Sequence, residues 1–241
     1  MSLCDLIIQP TAGFLMSDAG AWDASGRLVG LRPKTAIFPK AHAAVVMRGA
    51  GLASESWAAI AREIGPIDEL LEYLPRLAAD LTANGVLPGE ARNPWAEVTV
   101  LYWDKGAARP RAKQLHTAPI GQTDGVGYAA ILDAKGRYQP GQWFEPPSLC
   151  LTPTLVWDAP LPDLRDQMNE ARFDVRKSAP DIVNAQRATK TDFAGNAVST
   201  VAGWVDMAVV TRAGVTMERV TSWPDQVSSA RPRKGTVPKG G

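Results

Sequence analysis

The chain has 241 residues, of which 45% are hydrophobic and 21% are charged, the balance of an ordinary globular protein with a sizeable core. Lys and Arg number 26 and Asp and Glu number 25, so the net charge is +1, which excludes a protein that attracts nucleic acid through its overall field. The two cysteines, Cys4 and Cys150, and the two histidines, His42 and His116, are too few for a disulfide framework or a zinc cluster. We therefore expect no metal and no cofactor.

The sequence predicts where the protein resides and how it divides into a domain and a tail. No apolar run is long enough for a membrane span, and the first residues lack the basic and hydrophobic regions of a secretory signal. The simplest location is the cytoplasm, with both thiols reduced. We predict a single domain over residues 1–223 and a flexible basic tail over residues 224–241. The tail's charges are Arg231, Arg233, Lys234 and Lys239, opposed by Asp225.

The first part of the chain is predicted to form antiparallel strands with short connections. Residues 3–8 are apolar, residues 10–13 have the composition of a turn, and residues 14–17 form a second strand. Residues 43–47 are typical of a buried strand, which ends at Gly49.

Two helices are predicted next. Ser54 is a suitable N-cap, and the apolar residues after it recur at helical spacing until Gly65 and Pro66. Residues 70–81 indicate a second helix, which Pro75 should bend or interrupt.

The later elements are less regular, but the chain ends in a clear β-hairpin. Because strands flank the helices, we expect the two ends of the chain to share a sheet. The predicted elements are strands at 98–103, 128–132 and 149–157, a solvated basic loop at 105–113, a helix over 161–171, and a hairpin of 204–210 and 215–222.

The residue with the most distinctive chemistry is Ser2. A small second residue normally permits removal of the initiator methionine, which would leave Ser2 with a free α-amine. That amine can activate the hydroxyl of its own residue as a general base, directly or through a water. Its unperturbed pKa of about 8 lets it be neutral at working pH.

Two charged residues follow Ser2 at equal intervals. Asp18 lies 16 residues after Ser2, and Lys34 lies 16 residues after Asp18. Two antiparallel strands joined by the turn at 10–13 would bring Ser2 and Asp18 together. A buried Lys34 beside them, held by Asp18, would lower the pKa of the hydroxyl.

These three residues and their strand context resemble the proteasome-like N-terminal nucleophile hydrolases, which include the proteasome β subunits. Residues 13–18 resemble the strand that leads to the family's Asp. Residues 43–51, with the helix after them, resemble the strand and small-residue loop that hold its oxyanion donor, and residues 205–214 resemble its closing hairpin. The resemblance implies an α+β fold, a four-layer αββα sandwich with two antiparallel sheets between helices.

The resemblance also implies a role for each residue. Ser2 would be the nucleophile and, through its amine, the base; Asp18 would orient Lys34, and Lys34 would tune the hydroxyl. A backbone N–H near Gly49 would stabilise the oxyanion, although an ungapped match places Arg48 at that position. The family uses Thr where this chain has Ser2. The implied reaction is hydrolysis of an amide or peptide bond through an acyl-enzyme.

Three functions stay open at this point. The first is an N-terminal nucleophile amidohydrolase or peptidase that acts on a peptide or amide substrate. The second is a catalytically inactive, proteasome-like subunit of a larger assembly, such as a ring or a phage virion, and the third is a module that binds a ligand in the cleft of the sandwich. Residues 139–162 with six prolines, eight tryptophans in all and the basic tail favour contacts between subunits, so we expect a homo-oligomer or assembly subunit. No nucleic-acid or membrane partner is expected.

Overall fold

A computed structural model describes residues 3–22, 27–49, 54–84, 95–122, 127–152, 173–193 and 196–227. These residues form a mixed α+β structure in which the strands pair in antiparallel fashion. The strands are β1 (Cys4–Ile8), β2 (Ala12–Asp18), β3 (Gly20–Trp22), β4 (Leu28–Leu31), β5 (Thr35–Phe38), β6 (Ala43–Gly49), β7 (Ala96–Asp104), β8 (Arg109–His116), β9 (Leu149–Cys150), β10 (Lys190–Phe193), β11 (Asn196–Ser199), β12 (Trp204–Thr211) and β13 (Gly214–Ser222). The helices are α1 (Ser54–Glu63), α2 (Ile67–Asn84), α3 (Gly127–Ala134) and α4 (Val175–Ala188). Within these ranges, no helix combines the length and the apolar character needed to cross a lipid bilayer.

The larger sheet joins the two ends of the chain, in the order β13-β12-β2-β1-β9. Strands β1 and β2 form a hairpin in which Cys4 lies opposite Ser17, and β12 pairs with the other edge of β2, with Val205 opposite Asp18. The prediction that the first and last strands share a sheet is therefore confirmed. Strand β2 lies in the middle of the sheet, and six of its seven residues are buried.

The second sheet has the order β5-β6-β7-β8. Alternate residues of β6 lie on opposite faces, as the period of a strand requires. Val45 and Met47 join the cluster on the side of α1 and α2, whereas Ala44 and Val46 face the larger sheet. Both faces of this strand are thus covered, which explains its continuous apolar sequence.

Three hydrophobic clusters show how these elements are layered. A cluster that contains Leu15 from the larger sheet and Leu101 from the second one fills the space between them. Helices α1 and α2 cover the outer face of the second sheet, and α4 covers the outer face of the larger sheet. The predicted α+β class with antiparallel sheets is confirmed, and the layering is compatible with a sandwich.

Two predicted elements have a different structure. Residues 127–134 form helix α3 rather than a strand, because Ala129 and Leu132 are three residues apart and both pack against Tyr138. The basic segment at 105–113 is not a solvated loop throughout, since β8 begins at Arg109 and buries alternate residues. Its Pro110 is tolerated because β8 is an edge strand.

The helices also depart from prediction in part. Helix α2 continues through Pro75 without interruption, while Leu70, Leu74 and Ala78 on its buried face pack in the cluster beneath it. Helix α4 was not predicted, although Asp174 caps its N terminus. The predicted helix over 161–171 and most of the predicted strand at 149–157 lie outside the described residues. The division at residue 223 stays a prediction.

Two leucines of α2 that differ in burial provide a test of the packing under this helix. Leu74 is fully buried, whereas Leu77 on the same helix is partly exposed. We expect Leu74→Ala to lower the free energy of unfolding by about 2–5 kcal/mol, because it leaves a cavity under the helix. Leu77→Ala is the matched control and should cost clearly less. Urea unfolding measures both, and equal losses would contradict this packing.

Candidate active site

The carboxylate of Asp18 binds four N–H donors at the end of β2. Its Oδ1 accepts from the backbone N–H of Leu3 at 3.0 Å and from Lys34 Nζ at 2.7 Å. Its Oδ2 accepts from the backbone N–H of Gly20 at 3.1 Å and of Ala202 at 3.2 Å. One side chain therefore joins the residue before β1, the start of β3, the residue before β5 and the segment before β12.

The ion pair between Asp18 and Lys34 is buried, with 1% of Asp18 and 8% of Lys34 exposed. Burial lowers the pKa of Lys34 and outweighs the opposing effect of the Asp18 charge. Within the described ranges, the Lys34 ammonium donates to Asp18 alone. Two of its three N–H bonds are therefore available to a further acceptor.

The predicted nucleophile, Ser2, lies outside the described residues. Its neighbour Leu3 is fully buried, and the Leu3 amide nitrogen lies 3.0 Å from Asp18 Oδ1. The structure thus brings Asp18 and Lys34 together with the residue that follows Ser2. The register of the β1–β2 hairpin places Leu3 next to Asp18, and Lys34 approaches from the start of β5.

Gly49, the predicted oxyanion donor, ends strand β6 at the same end of the second sheet as Lys34. The Met47 N–H donates to the Lys34 carbonyl at 3.3 Å, and Gly49 lies two residues further along β6. Gly49 has a φ of +79°, and a Cβ there would lie 2.3 Å from the Trp95 carbonyl oxygen. The fold therefore requires glycine at this position, whatever the function.

A second buried ion pair lies between the sheets next to this group. Arg48 Nε and Nη2 donate to Glu97 Oε1 at 2.9 and 2.5 Å, directly across the β6–β7 ladder. The positive charge of Arg48 contributes to the lowered pKa of Lys34. From the sequence, Arg48 was noted only as a mismatch at the predicted oxyanion position. Its partner Glu97 belongs to no sequence motif, so the pair was not predicted.

The thiol of Cys4 is close to this ion pair but is not activated. Burial raises the pKa of Cys4 to about 12, with Arg48 and Glu97 acting in opposite directions. Its Sγ donates weakly to Thr99 Oγ1 at 3.7 Å. Cys4 is therefore a neutral interior residue at working pH rather than a competing nucleophile.

His116, which lies opposite Glu97 at the end of β8, is also buried. It accepts the Ala118 N–H on Nδ1 at 3.1 Å and stacks on Trp95 with ring centroids 5.0 Å apart. Burial lowers the pKa of His116 to about 4, so the ring is neutral near pH 7. Because Trp95 also contacts Gly49, this stack supports the end of β6.

The comparisons with known proteins leave the site to be interpreted from its geometry. No protein-family model matches the chain, and no curated protein matches its sequence. In the part of the chain that the structure describes, no three His, Cys, Asp or Glu side chains are grouped so that they could hold a metal ion.

A further buried carboxylate, Asp5, lies between β1 and α4. Its Oδ1 accepts from Gln186 Nε2 at 2.8 Å and from the Thr152 N–H at 3.0 Å. Burial raises the pKa of Asp5 from 3.8 to about 7, against the lowering effect of these hydrogen bonds. The folded protein therefore holds this proton to a higher pH than the unfolded chain does.

The two members of the central ion pair should contribute unequally to stability. Asp18→Ala leaves a buried ammonium and three backbone N–H groups without their acceptor, so we expect a loss of about 3–5 kcal/mol. Lys34→Met leaves Asp18 with three backbone donors and should cost less. Urea unfolding of both variants is the measurement, and an equal or larger loss for Lys34→Met would contradict the arrangement.

The raised pKa of Asp5 predicts that the protein becomes less stable as the pH rises. The unfolded chain loses the Asp5 proton near pH 3.8 and the folded protein near pH 7, so the folded state binds more protons between these values. Its free energy of unfolding should therefore fall across this window. Unfolding free energies of the wild type and of Asp5→Asn, measured at each pH, isolate the effect. A difference between the two proteins that is constant from pH 4 to 7 would contradict it.

Proposed function

We propose that the chain is an N-terminal nucleophile amidohydrolase, with Ser2 as its nucleophile. The observation that carries the proposal is the convergence of the Leu3 amide, the Asp18 carboxylate and the Lys34 ammonium on one buried point at the start of β1. Residue 2 is bonded directly to that amide. The layering of two sheets between helices also agrees with the αββα sandwich of proteasome-like N-terminal nucleophile hydrolases.

The reaction needs a chain that begins at Ser2, with Met1 removed. The Ser2 Oγ attacks the substrate carbonyl carbon, and its proton passes to the α-amine and then to the leaving nitrogen as the amide C–N bond breaks. Water then attacks the ester on Ser2, with the amine again as base. The acid product leaves, and the hydroxyl is restored.

Lys34 would act on the hydroxyl oxygen through its charge. Two of its N–H bonds have no acceptor in the described ranges, so they are available to the Ser2 oxygen as negative charge develops there. Asp18 fixes the direction of the ammonium, and its charge opposes the lowering of the Lys34 pKa by burial.

Gly49 is suited to bind the oxyanion. In an antiparallel ladder, successive residues direct their N–H bonds to opposite edges of the strand. Because the Met47 N–H points to the Lys34 carbonyl, we expect the Gly49 N–H to be directed to the same edge, beyond the end of β5. There it would face the reacting carbonyl rather than a strand partner.

Intact mass and covalent labelling test the proposal together. We expect the purified protein to lack Met1 and to gain the mass of one β-lactone probe, which acylates a hydroxyl through opening of its ring. Ser2→Ala should lose this labelling, whereas Ser148→Ala, which changes an exposed serine, should label as the wild type does. Labelling should slow as pH falls below the pKa of the α-amine, about 8.

Retention of Met1 would overturn the proposal, because Ser2 would then have no free amine. Equal labelling of the wild type and Ser2→Ala would overturn it as well. Either result would favour the inactive assembly subunit, which a measurement of mass in solution would then examine.

A further inference from the structure

Arg187 in α4 and Asp225 after β13 form a paired ionic contact, here called the Arg187–Asp225 clasp. Arg187, in the last turn of α4, donates through Nη1 to Asp225 Oδ2 at 2.8 Å and through Nη2 to Asp225 Oδ1 at 2.6 Å. This two-bond geometry is the strong form of an Arg–carboxylate pair. The Arg187 guanidinium also lies 4.4 Å from the centroid of the Trp223 ring. Both partners are partly buried.

The clasp holds the segment at 201–203, which leads into β12. Arg187 Nη1 donates to the Val201 carbonyl at 2.7 Å, and the Gly203 N–H donates to Asp225 Oδ2 at 2.7 Å. The Trp223 N–H donates to the Gly203 carbonyl, also at 2.7 Å. These three hydrogen bonds fix one side of the segment.

The other side of the same segment contacts the candidate site. The Ala202 N–H donates to Asp18 Oδ2 at 3.2 Å, and the Ala19 N–H donates to the Ala202 carbonyl at 3.2 Å. Gly203 has a φ of +78°, and a Cβ there would lie 2.6 Å from Leu31 Cδ2. While the Arg187–Asp225 clasp is formed, these contacts leave the backbone of residues 201–203 little room for another conformation.

We propose that Arg187 and Asp225 are positioning residues for the candidate active site. The clasp holds the Ala202 amide against Oδ2 of Asp18, which leaves Oδ1 for the Leu3 amide and Lys34. Its effect on reactivity rests on the proposed function, whereas its effect on the Ala202 amide does not. Without the clasp, Oδ2 loses a fixed donor and the carboxylate can rotate away from Lys34.

Hydrogen exchange at single amides tests the positioning. In Asp225→Ala, we expect the Ala202 amide, which binds Asp18 and not Asp225, to exchange about tenfold faster or more. Glu218→Gln is the matched control, since it removes the exposed ion pair between Arg176 of α4 and Glu218 of β13. That variant should leave exchange at Ala202 unchanged.

Should Asp225→Ala fail to fold, Asp225→Asn keeps one acceptor oxygen, and faster exchange at Ala202 is again the expected result. Unchanged exchange at Ala202 in the folded variant would overturn the inference. So would equal acceleration at Ala202 in Glu218→Gln, because the effect would then be one of general stability.

The rate at which the β-lactone labels Ser2 is the second test of the inference. We expect the β-lactone to label Ser2 about tenfold more slowly in Asp225→Ala than in the wild type, because small displacements of a reacting group reduce rates strongly. Asp225→Glu should recover part of that rate. A wild type that is not labelled contradicts the proposed function alone, since exchange at Ala202 still decides the positioning. Normal labelling of Asp225→Ala despite faster exchange would overturn the catalytic part of the inference.

Discussion

The structure depends above all on the carboxylate of Asp18. Four N–H donors from residues 3, 20, 34 and 202 converge on its two oxygens, and the residue is 1% exposed. A buried charge of this kind is tolerated only when it is fully paired and hydrogen-bonded. Because the buried carboxylate of Asp18 must be paired, the Lys34 ammonium is held next to the start of β1. The fold and the proposed chemistry therefore depend on the same carboxylate.

In the proposed mechanism, the polar residues around Asp18 divide into those that would activate the nucleophile and those that support the fold. Lys34 combines burial, one acceptor and a lowered pKa, which suits a group that responds to charge developing on a nearby oxygen. Arg48 donates to Glu97 through Nε and Nη2, and burial raises the pKa of Cys4 so that its thiol is neutral. Within the described ranges the Lys34 ammonium donates to Asp18 alone, so two of its N–H bonds are available to the reacting atom in the proposed mechanism.

The β1–β2 hairpin and the sheet shared by the first and last strands were predictable from the sequence, whereas two helices and the individual long-range contacts of Asp18 were not. The turn at 10–13 sets the register of β1 and β2, so the approach of Asp18 to the beginning of the chain follows from spacing alone. The partners Ala202 and Asp225 gave no such signal, because backbone donors and long-range pairs leave no pattern of spacing. Helix α3 was predicted as a strand because its short apolar run fits both the helical and the strand period. Helix α4 was not predicted because Pro180 lies within it, and proline is unusual inside a helix.

The position of β12 in the larger sheet has a consequence for biosynthesis. Strand β2 is translated almost two hundred residues before β12, its hydrogen-bonded neighbour on one side. Until that neighbour is translated, β2 exposes an unpaired edge and a largely apolar surface, the kind of surface that chaperones recognise and that aggregates if left uncovered. Pairings of such high sequence separation also slow folding, because a long loop must close before the contact forms. The nascent chain can therefore complete the larger sheet only after β12 has been translated.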